Sequence, residues 1–342
     1  MRLKHKQALE LLSAAIPARL PVLLAGPPGV GKSDLVAQAA ASCGHDLVVS
    51  HPVVSDPTDF KGLPWPGKSG ETAEFLPFGE FAAALKAERP TVWFLDDLGQ
   101  APASVQAACM QLLLARRING HALPDHVTFV AATNRRGDKA GVQGLLEPVK
   151  SRFAAIVELE PDVDDWTRWA LGAGMPPELV AFIRFRPDLL HSFNPTQDLE
   201  QSPCPRTWAF VGKLLGLSLP REIELAAYAG AVGEGAAVEF MAFLEIYRSL
   251  PSLDAILLDP DAASIPAEPS ALYAVSAGLA ARANAENCER VFRYAERLRE
   301  AGHGEFSVLL VRDALRRDEE IKNTAAFMRL AAGPIGRIFI GE

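Results

Sequence analysis

Five short apolar runs lie in the first half of the chain, and segments with helical spacing separate them. The runs cover residues 21–25, 46–50, 91–96, 127–132 and 155–159. Apolar runs of this length, alternating with helical patterns, are typical of parallel strands that are buried on both faces. The pattern therefore predicts an α/β fold in which a five-stranded parallel sheet lies between helices.

The second half of the chain has a different pattern. From about residue 161 the strand signals end, and Ala- and Leu-rich helical segments follow, interrupted by Pro and Gly. A Pro- and Asp-rich stretch at residues 257–270 indicates a linker or a long loop before further helices. We therefore predict an α/β domain over residues 1–160, a helical domain over 161–255 and a C-terminal helical extension over 256–342.

The turn after the first strand carries a phosphate-binding pattern. It fits G-x-x-x-x-G-K-[ST] and consists of Gly26, Pro27, Pro28, Gly29, Val30, Gly31, Lys32 and Ser33. The glycines allow a tight turn whose N–H groups face phosphate oxygens at the start of the next helix. We expect Lys32 to reach the β- and γ-phosphates and the Ser33 hydroxyl to occupy one Mg²⁺ position. A turn that only caps a helix is the alternative, and the flanking strand and helix favour the nucleotide site.

Two aspartates, Asp96 and Asp97, follow the third strand in the stretch TVWFLDDLGQAP. They lie at the carboxyl end of a strand, where open α/β sheets bind ligands. An isolated pair of aspartates would indicate a solvated turn, but the phosphate-binding pattern upstream favours a hydrolytic site. We expect Asp96 to hold Mg²⁺ and Asp97 to orient or deprotonate the attacking water. Asn134 follows the neighbouring fourth strand and could hold the same water.

Charge and composition narrow the functional class. The net charge of −8 gives no bulk attraction to nucleic acid or anionic lipid. The four cysteines are far apart and lack the spacing of a zinc site. The chain has no apolar run of 18 residues, and Glu10, Pro17 and Arg19 interrupt the apolar region near its start. We therefore expect a cytoplasmic protein with reduced thiols and no membrane segment.

The order of these motifs resembles that of the AAA+ ATPases, and within them the MoxR-type branch, over about residues 1–255. GPPGVGKS is similar to Walker A, VWFLDD to Walker B and Asn134 to sensor 1. The resemblance implies that Arg152 is the arginine finger and that Arg206, in CPRTW, is sensor 2. Without the resemblance, each arginine would be interpreted as a solvated charge. The implied fold is an AAA+ P-loop NTPase core followed by an α-helical lid.

Two further stretches point to the MoxR-type branch. Residues 59–85 are similar to the family's helix-2 insert, and ARRINGHALPDHVTF is similar to its pre-sensor-1 hairpin. In the first stretch, Gly67, Gly70 and the alternation near Phe75 already predict a hairpin. The resemblance implies that both hairpins line the central opening of a ring, and the alternative is a hairpin that packs on its own subunit.

The Walker B segment departs from the family pattern. Asp97 stands where family members commonly have glutamate, and Leu98, Gly99 and Gln100 replace their Ile-Asn-Arg. The shorter side chain puts the carboxylate about 1.5 Å further from the water, and positioning limits phosphoryl transfer. We therefore expect slow hydrolysis.

The resemblance implies a protein that hydrolyses ATP with Mg²⁺ to remodel, mature or activate a protein partner. It further implies a homo-hexameric ring that acts with a von Willebrand A domain protein. One alternative is an ATP-regulated DNA-acting protein, supported by Arg116, Arg117, Arg135 and Arg136. The acidic balance and the absence of interleaved aromatic residues weigh against nucleic acid. The other alternative is an ATP-binding scaffold with little hydrolysis, which depends on Asp97.

Overall fold

The computed structural model describes residues 2–67, 71–138, 144–194, 199–250 and 252–340, so that the predicted hairpin residue Gly70 lies outside the described residues. The chain divides into two compact units, Met1–Asp162 and Val163–Glu342. The first unit contains the strands: β1 (Arg2–Leu3), β2 (Val22–Ala25), β3 (Asp46–Ser50), β4 (Leu63–Pro66), β5 (Ala73–Leu76), β6 (Thr91–Leu95), β7 (Arg117–Ile118), β8 (His121–Ala122), β9 (Val127–Thr133) and β10 (Ala155–Leu159).

Six of these strands form one parallel sheet in the order β1-β10-β2-β9-β6-β3. The five longer strands coincide with the predicted apolar runs to within one residue at each end. The predicted parallel sheet is therefore confirmed. The sixth strand, β1, was not predicted, because two residues are too short to show an apolar pattern. Strand β1 pairs with β10 at the edge of the sheet.

Helices cover both faces of the sheet, because successive strand residues point to opposite sides. Along β6, Val92 and Phe94 pack in the cluster that includes helices α1 (His5–Ala15) and α2 (Lys32–Ser42). Trp93 and Leu95 pack on the opposite face with helix α5 (Ala103–Ala115), which buries Val105, Cys109, Leu112 and Leu113. The helices of this unit are α1 (His5–Ala15), α2 (Lys32–Ser42), α3 (Pro57–Lys61), α4 (Gly79–Leu85), α5 (Ala103–Ala115) and α6 (Glu147–Lys150).

The two predicted hairpins are present in the structure. Strands β4 and β5 pair antiparallel, as do β7 and β8. Asn119 Nδ2 donates to the Lys61 carbonyl oxygen at 2.9 Å, and a His121 Nε2 hydrogen bond of 2.6 Å joins the Phe75 carbonyl oxygen. These bonds fasten the short hairpin to the base of the longer one.

The second unit is helical, as predicted for the second half of the chain. Its helices are α7 (Val163–Gly172), α8 (Pro177–Phe185), α9 (Pro205–Leu215), α10 (Arg221–Val232), α11 (Glu234–Ser249), α12 (Leu253–Leu258), α13 (Pro269–Arg282), α14 (Cys288–Glu300), α15 (Gly304–Arg317), α16 (Ala325–Ala332) and α17 (Pro334–Ile340). The Pro- and Asp-rich stretch forms a loop over residues 259–268.

Helix α13 takes part in both apolar clusters of the second unit. Its Ala274 and Ala277 pack with helices α7 to α11, whereas its Val275 and Leu279 pack with α12 to α17. A buried ion pair also joins Arg184 of α8 to Asp313 of α15. The predicted division at residue 255 stays a prediction.

Among the described residues, no helix combines the length and the apolar character needed to cross a membrane. The four cysteines are free thiols; Cys109, Cys204 and Cys288 are buried, and Cys43 is half-buried. Burial raises the pKa of the Cys109 thiol, so that this residue stays protonated and unreactive at neutral pH.

Candidate nucleotide-binding site

The turn between β2 and α2 has the backbone shape that the glycine pattern predicts. Gly29 and Gly31 have φ angles of +72° and +98°, which residues with a β-carbon rarely adopt. A β-carbon at Gly26 would lie 3.1 Å from the Leu159 carbonyl oxygen of the neighbouring strand. Gly31 caps α2, an 11-residue helix, so the turn presents N–H groups at the positive end of a helix dipole.

Lys32 lies in the first turn of α2 and is 7% exposed. Its Nζ donates to the carbonyl oxygens of Gly26 at 3.0 Å and Pro27 at 3.1 Å, and to Asn134 Oδ1 at 2.7 Å. A buried ammonium group is costly unless hydrogen bonds satisfy it. The turn and Asn134 therefore hold a positive charge beside the N–H groups that would bind phosphate.

Ser33 and Asp96 meet although 63 residues separate them in the chain. The Ser33 hydroxyl donates to Asp96 Oδ2 at 2.7 Å. The Asp96 backbone N–H donates to the Ser50 carbonyl oxygen at 2.9 Å, which fixes the end of β6 against β3. Magnesium in nucleotide sites takes one or two protein oxygens together with phosphate and water oxygens. The Ser33 hydroxyl and the Asp96 carboxylate are such donors, so they fit that ion.

Asp97 occupies a left-handed backbone conformation, with φ at +56°, immediately after β6. Two side-chain amides donate to its Oδ1 atom, Gln100 Nε2 at 2.7 Å and Asn134 Nδ2 at 3.3 Å. Asn134 thus bridges Lys32 and Asp97. An amide that binds the lysine through its oxygen has only its nitrogen left for the carboxylate, so the two partners fix its orientation.

The strand order explains why these side chains meet. Strand β9 lies between β2 and β6, so Asn134, directly after β9, stands between the loop after β2 and the aspartates after β6. The Gly26 N–H also donates to the Thr133 carbonyl oxygen at 3.2 Å. The structure therefore brings together Lys32, Ser33, the two aspartates and Asn134; their roles stay predictions.

In the sequence, Gly99 and Gln100 stand out only as departures from the family pattern. They form a 3₁₀ turn with Leu98, and a β-carbon at Gly99 would stand 2.1 Å from Thr133 Oγ1. The glycine therefore allows the turn to lie directly against β9. Gln100 follows Asp97 by three residues. Because a 3₁₀ helix has three residues per turn, side chains at this spacing lie on the same side of it. That spacing was the signal that could have identified the contact.

The two arginines assigned by resemblance lie outside this hydrogen-bonded set. Arg152 follows α6, and its Nη1 donates to Ser151 Oγ at 2.7 Å. The Arg152 Nε atom is buried and has no hydrogen-bond partner among the described residues. Arg206 is exposed at the start of α9 in the second unit. Their predicted roles remain untested.

Two of the basic residues that supported a DNA-acting protein are engaged within the chain. Arg116 Nη2 donates to the Pro124 carbonyl oxygen at 2.7 Å, and burial lowers its pKa. Hydrogen bonds from Arg135 to Asp138 and Glu158 raise the pKa of Arg135. Arg117 is exposed. The ion pairs of Arg135 with Asp138 and Glu158 leave less positive surface for a phosphate backbone.

Comparison with known proteins identifies relatives of the first unit. Residues 21–153 match the family model described as the AAA domain of the dynein-related subfamily. The human ATPase family gene 2 protein homolog B is 34% identical over 143 residues, which is 39% of this chain and 17% of that protein. Midasin of Giardia intestinalis is 28% identical over 183 residues, 50% of this chain and 4% of that protein. The chain therefore spans less than a fifth of the length of these relatives.

Comparison with solved structures also gives matches. The Thermotoga maritima RuvB Holliday junction branch migration motor is 21% identical, with a TM-score of 0.41 over 80% of each chain. NtrX from Brucella abortus in complex with ADP is 15% identical, with a TM-score of 0.39 over 89% of this chain and 68% of that one. With its family match over residues 21–153, its sheet order and its phosphate-binding turn, the first unit is similar to the AAA domain of the dynein-related subfamily, and the chain has the AAA+ P-loop NTPase fold with a helical C-terminal part.

Proposed function

We propose that this protein is a MoxR-type AAA+ ATPase that hydrolyses ATP with Mg²⁺ and remodels, matures or activates a protein partner. One observation carries the enzymatic part of the proposal. Lys32, Ser33, Asp96, Asp97 and Asn134 form a hydrogen-bonded set at one edge of the sheet, beside a glycine turn that opens a helix. These are the groups that phosphoryl transfer requires for binding charge and orienting water.

Each group has a distinct task in this proposal. Lys32 contributes a positive charge to the β- and γ-phosphates, while Ser33 and Asp96 hold Mg²⁺, which neutralises charge on the transferring phosphoryl group. Asp97 and Asn134, which are hydrogen-bonded to each other, together orient the attacking water. Catalysis then depends on positioning, because the protein has little covalent chemistry to perform in phosphoryl transfer.

The ring is a separate part of the proposal. Arg152 follows α6 outside the hydrogen-bonded set of the nucleotide site, and the resemblance of the sequence to AAA+ proteins supports its assignment as an arginine finger. We assign Arg152 to the γ-phosphate of a neighbouring subunit and Arg206 to the nucleotide of its own subunit. A homo-hexamer would then complete each active site with one arginine in trans, as arginine fingers do.

Contacts around Trp93 support a mechanical link between the nucleotide site and the hairpins. Phe60 precedes the β4–β5 hairpin and Phe81 follows it, and both rings stack on Trp93 with centroids 6.1 and 6.2 Å away. Trp93 lies three residues before Asp96, and its Nε1 donates to Ser50 Oγ at 2.8 Å. Since β7–β8 is bonded to the base of this hairpin, a movement of β6 would reach both hairpins.

The β4–β5 hairpin is the surface that we assign to the protein partner. Its strands are solvent-exposed, and Trp65 has an exposed fraction of 56%. Exposed aromatic residues are enriched at binding hot spots. We propose a von Willebrand A domain protein as the partner, from the resemblance of the sequence to MoxR-type proteins. The cytoplasm is the compartment that we propose, from the spacing of the four cysteines.

An ATPase assay with purified protein tests the enzymatic part, and affinity purification from the native host tests the partner. We expect Mg²⁺-dependent turnover in the wild type and a co-purifying von Willebrand A domain protein. Trp65→Ala should keep basal hydrolysis within a few-fold and abolish stimulation by that partner. Trp169→Ala, which changes an exposed tryptophan of α7 in the second unit, is the matched control and should keep the stimulation. Loss of basal hydrolysis in Trp65→Ala would show that the hairpin is structural.

The DNA-acting alternative makes a different prediction for the same assay. Phosphate contacts would give stimulation by single-stranded or duplex DNA that falls steeply between two salt concentrations. Because Arg116 and Arg135 are engaged within the chain, we expect no such stimulation. A salt-dependent increase in turnover with DNA would overturn the choice between the two functions.

A further inference from the structure

Gln100 makes an unusual double contact with the water-orienting aspartate. The Gln100 backbone N–H donates to the Asp97 carbonyl oxygen at 3.0 Å, and its side-chain Nε2 donates to Asp97 Oδ1 at 2.7 Å. The first bond closes the 3₁₀ turn, and the second holds the Asp97 carboxylate against that turn. A hydrogen bond of this length to a charged acceptor is among the stronger ones in proteins.

The environment of Gln100 fixes which end of its amide faces the carboxylate. The residue is 8% exposed, and the Thr133 hydroxyl lies 3.4 Å from its Oε1. A flipped amide would turn its oxygen toward Asp97, and two acceptors would then face each other. The turn can reach this position because Gly99 has no β-carbon to meet Thr133.

The amides of Gln100 and Asn134 converge on the same oxygen of Asp97. Both bonds go to Oδ1, so these amides leave Oδ2 for a water molecule. The Gln100 bond is the shorter by 0.6 Å, and Asn134 is shared with Lys32. Asn134 would change partners when phosphate draws Lys32 away, whereas Gln100 is tied to the turn that carries Asp97 itself.

We propose that Gln100 is a positioning residue for ATP hydrolysis, which fixes the Asp97 carboxylate so that its second oxygen orients the attacking water. This inference rests on the proposed ATPase function. It assigns to Gln100 the task of holding a side chain that is one methylene shorter than glutamate. The competing explanation is a merely structural role, in which the Gln100 side chain only provides hydrogen bonds to the polar groups of a buried turn.

Gln100→Met separates these explanations, because it keeps the length of the side chain and removes both polar atoms. A positioning role predicts that kcat falls about 10- to 100-fold, as expected for misplacement by up to about 1 Å, while KM for ATP changes less than about threefold. Gln106→Met is the matched control. Gln106 is 1% exposed on α5, and it bonds the backbone of Ala101, Gly144 and Leu146 rather than the aspartates. The Gln106→Met variant should have a lower melting temperature than the wild type and the same kcat per folded molecule.

Gln100→Glu gives a second readout, the pH dependence of kcat. A carboxyl group about 3 Å from Asp97 would share one proton with it, because two such groups cannot both ionise easily. While that proton is present, the introduced carboxyl group can donate to Asp97 as the amide does. We expect near-normal kcat at low pH and a new fall in kcat as pH rises and the shared proton is lost, with no such limb in the wild type.

The wild-type rate is measured first and decides the underlying function. A wild type that binds Mg-ATP without turnover refutes the proposed ATPase and the positioning role with it. An active wild type in which Gln100→Met keeps kcat within threefold refutes the positioning role alone. The same conclusion follows if Gln106→Met loses as much kcat as Gln100→Met, or if Gln100→Glu shows no new alkaline limb.

Discussion

Gly99→Ala should distort the site through a single steric contact. The new β-carbon would stand 2.1 Å from Thr133 Oγ1 and 3.1 Å from Thr133 Cβ. The first distance is about 0.9 Å shorter than the closest approach that β-carbons show. Either the 3₁₀ turn must move off β9 or Thr133 must leave its rotamer. The bond from Asn134 to Asp97 is already 3.3 Å long, so a small displacement would break it.

Two opposing effects set the size of the change in stability. Overpacking costs about 1–3 kcal/mol, and the reduced freedom of the unfolded chain returns about 0.4–1 kcal/mol for a Gly→Ala change. The difference gives a net loss of roughly 0 to 2.6 kcal/mol, and each kcal/mol lowers the melting temperature by roughly 2–4 °C in a unit of this size. Displacement of the turn by about 1 Å should lower kcat by up to about 100-fold.

Denaturant unfolding of a double-mutant cycle with Thr133→Ala measures this contact directly. Removal of the Thr133 hydroxyl takes away the clashing atom, so Gly99→Ala should cost about 1 kcal/mol less in that background. Gly137→Ala is the control, since a β-carbon there would meet nothing within 4 Å. If Gly99→Ala has the same cost in both backgrounds, or if Gly137→Ala is equally harmful, the steric explanation is wrong.

Four further outcomes are expected. Lys32→Ala should abolish the rise in melting temperature that Mg-ATP gives the wild type, which corresponds to about 2.7 kcal/mol at 100-fold excess over Kd; an equal rise in both proteins would contradict the assignment. Asp97→Asn should bind ATP without turnover, whereas Asp97→Glu should keep or raise the rate of phosphate release, and complete loss would mean that the site is built around aspartate. Arg152→Ala should be nearly inactive alone, but a mixture of this variant with Lys32→Ala should regain ATP turnover. If the mixture stays inactive while both variants still assemble with wild type, a role of Arg152 in trans is contradicted. Arg184→Ala should cost about 3–5 kcal/mol in denaturant unfolding, because it leaves the Asp313 carboxylate, 1% exposed, with the more distant Arg316 guanidinium at 4.0 Å as its remaining cation among the described residues; a cost below about 1 kcal/mol would show that the pair is dispensable.

Local patterns in the sequence predicted the sheet and the phosphate-binding turn. The five longer strands are continuous apolar runs because helices bury them on both faces, and this burial is visible within each run. Gly29, Gly31, Lys32 and Ser33 form a motif because one turn and one helix start supply all of its groups. Asp96 and Asp97 were predicted in the same way, from their place at the end of a strand.

The tertiary structure decided which of these groups meet. Asn134 bonds Lys32 across 102 positions and Asp97 across 37, and Arg184 bonds Asp313 across 129. The periodicity of a segment reports which of its faces is buried, but carries no information about which strand lies beside it. The order β10-β2-β9-β6-β3 places β9 between the phosphate-binding turn and the aspartates, and the absence of a β-carbon at Gly99 brings Gln100 against them. These contacts arise from the packing of distant strands, so only the folded chain determined them.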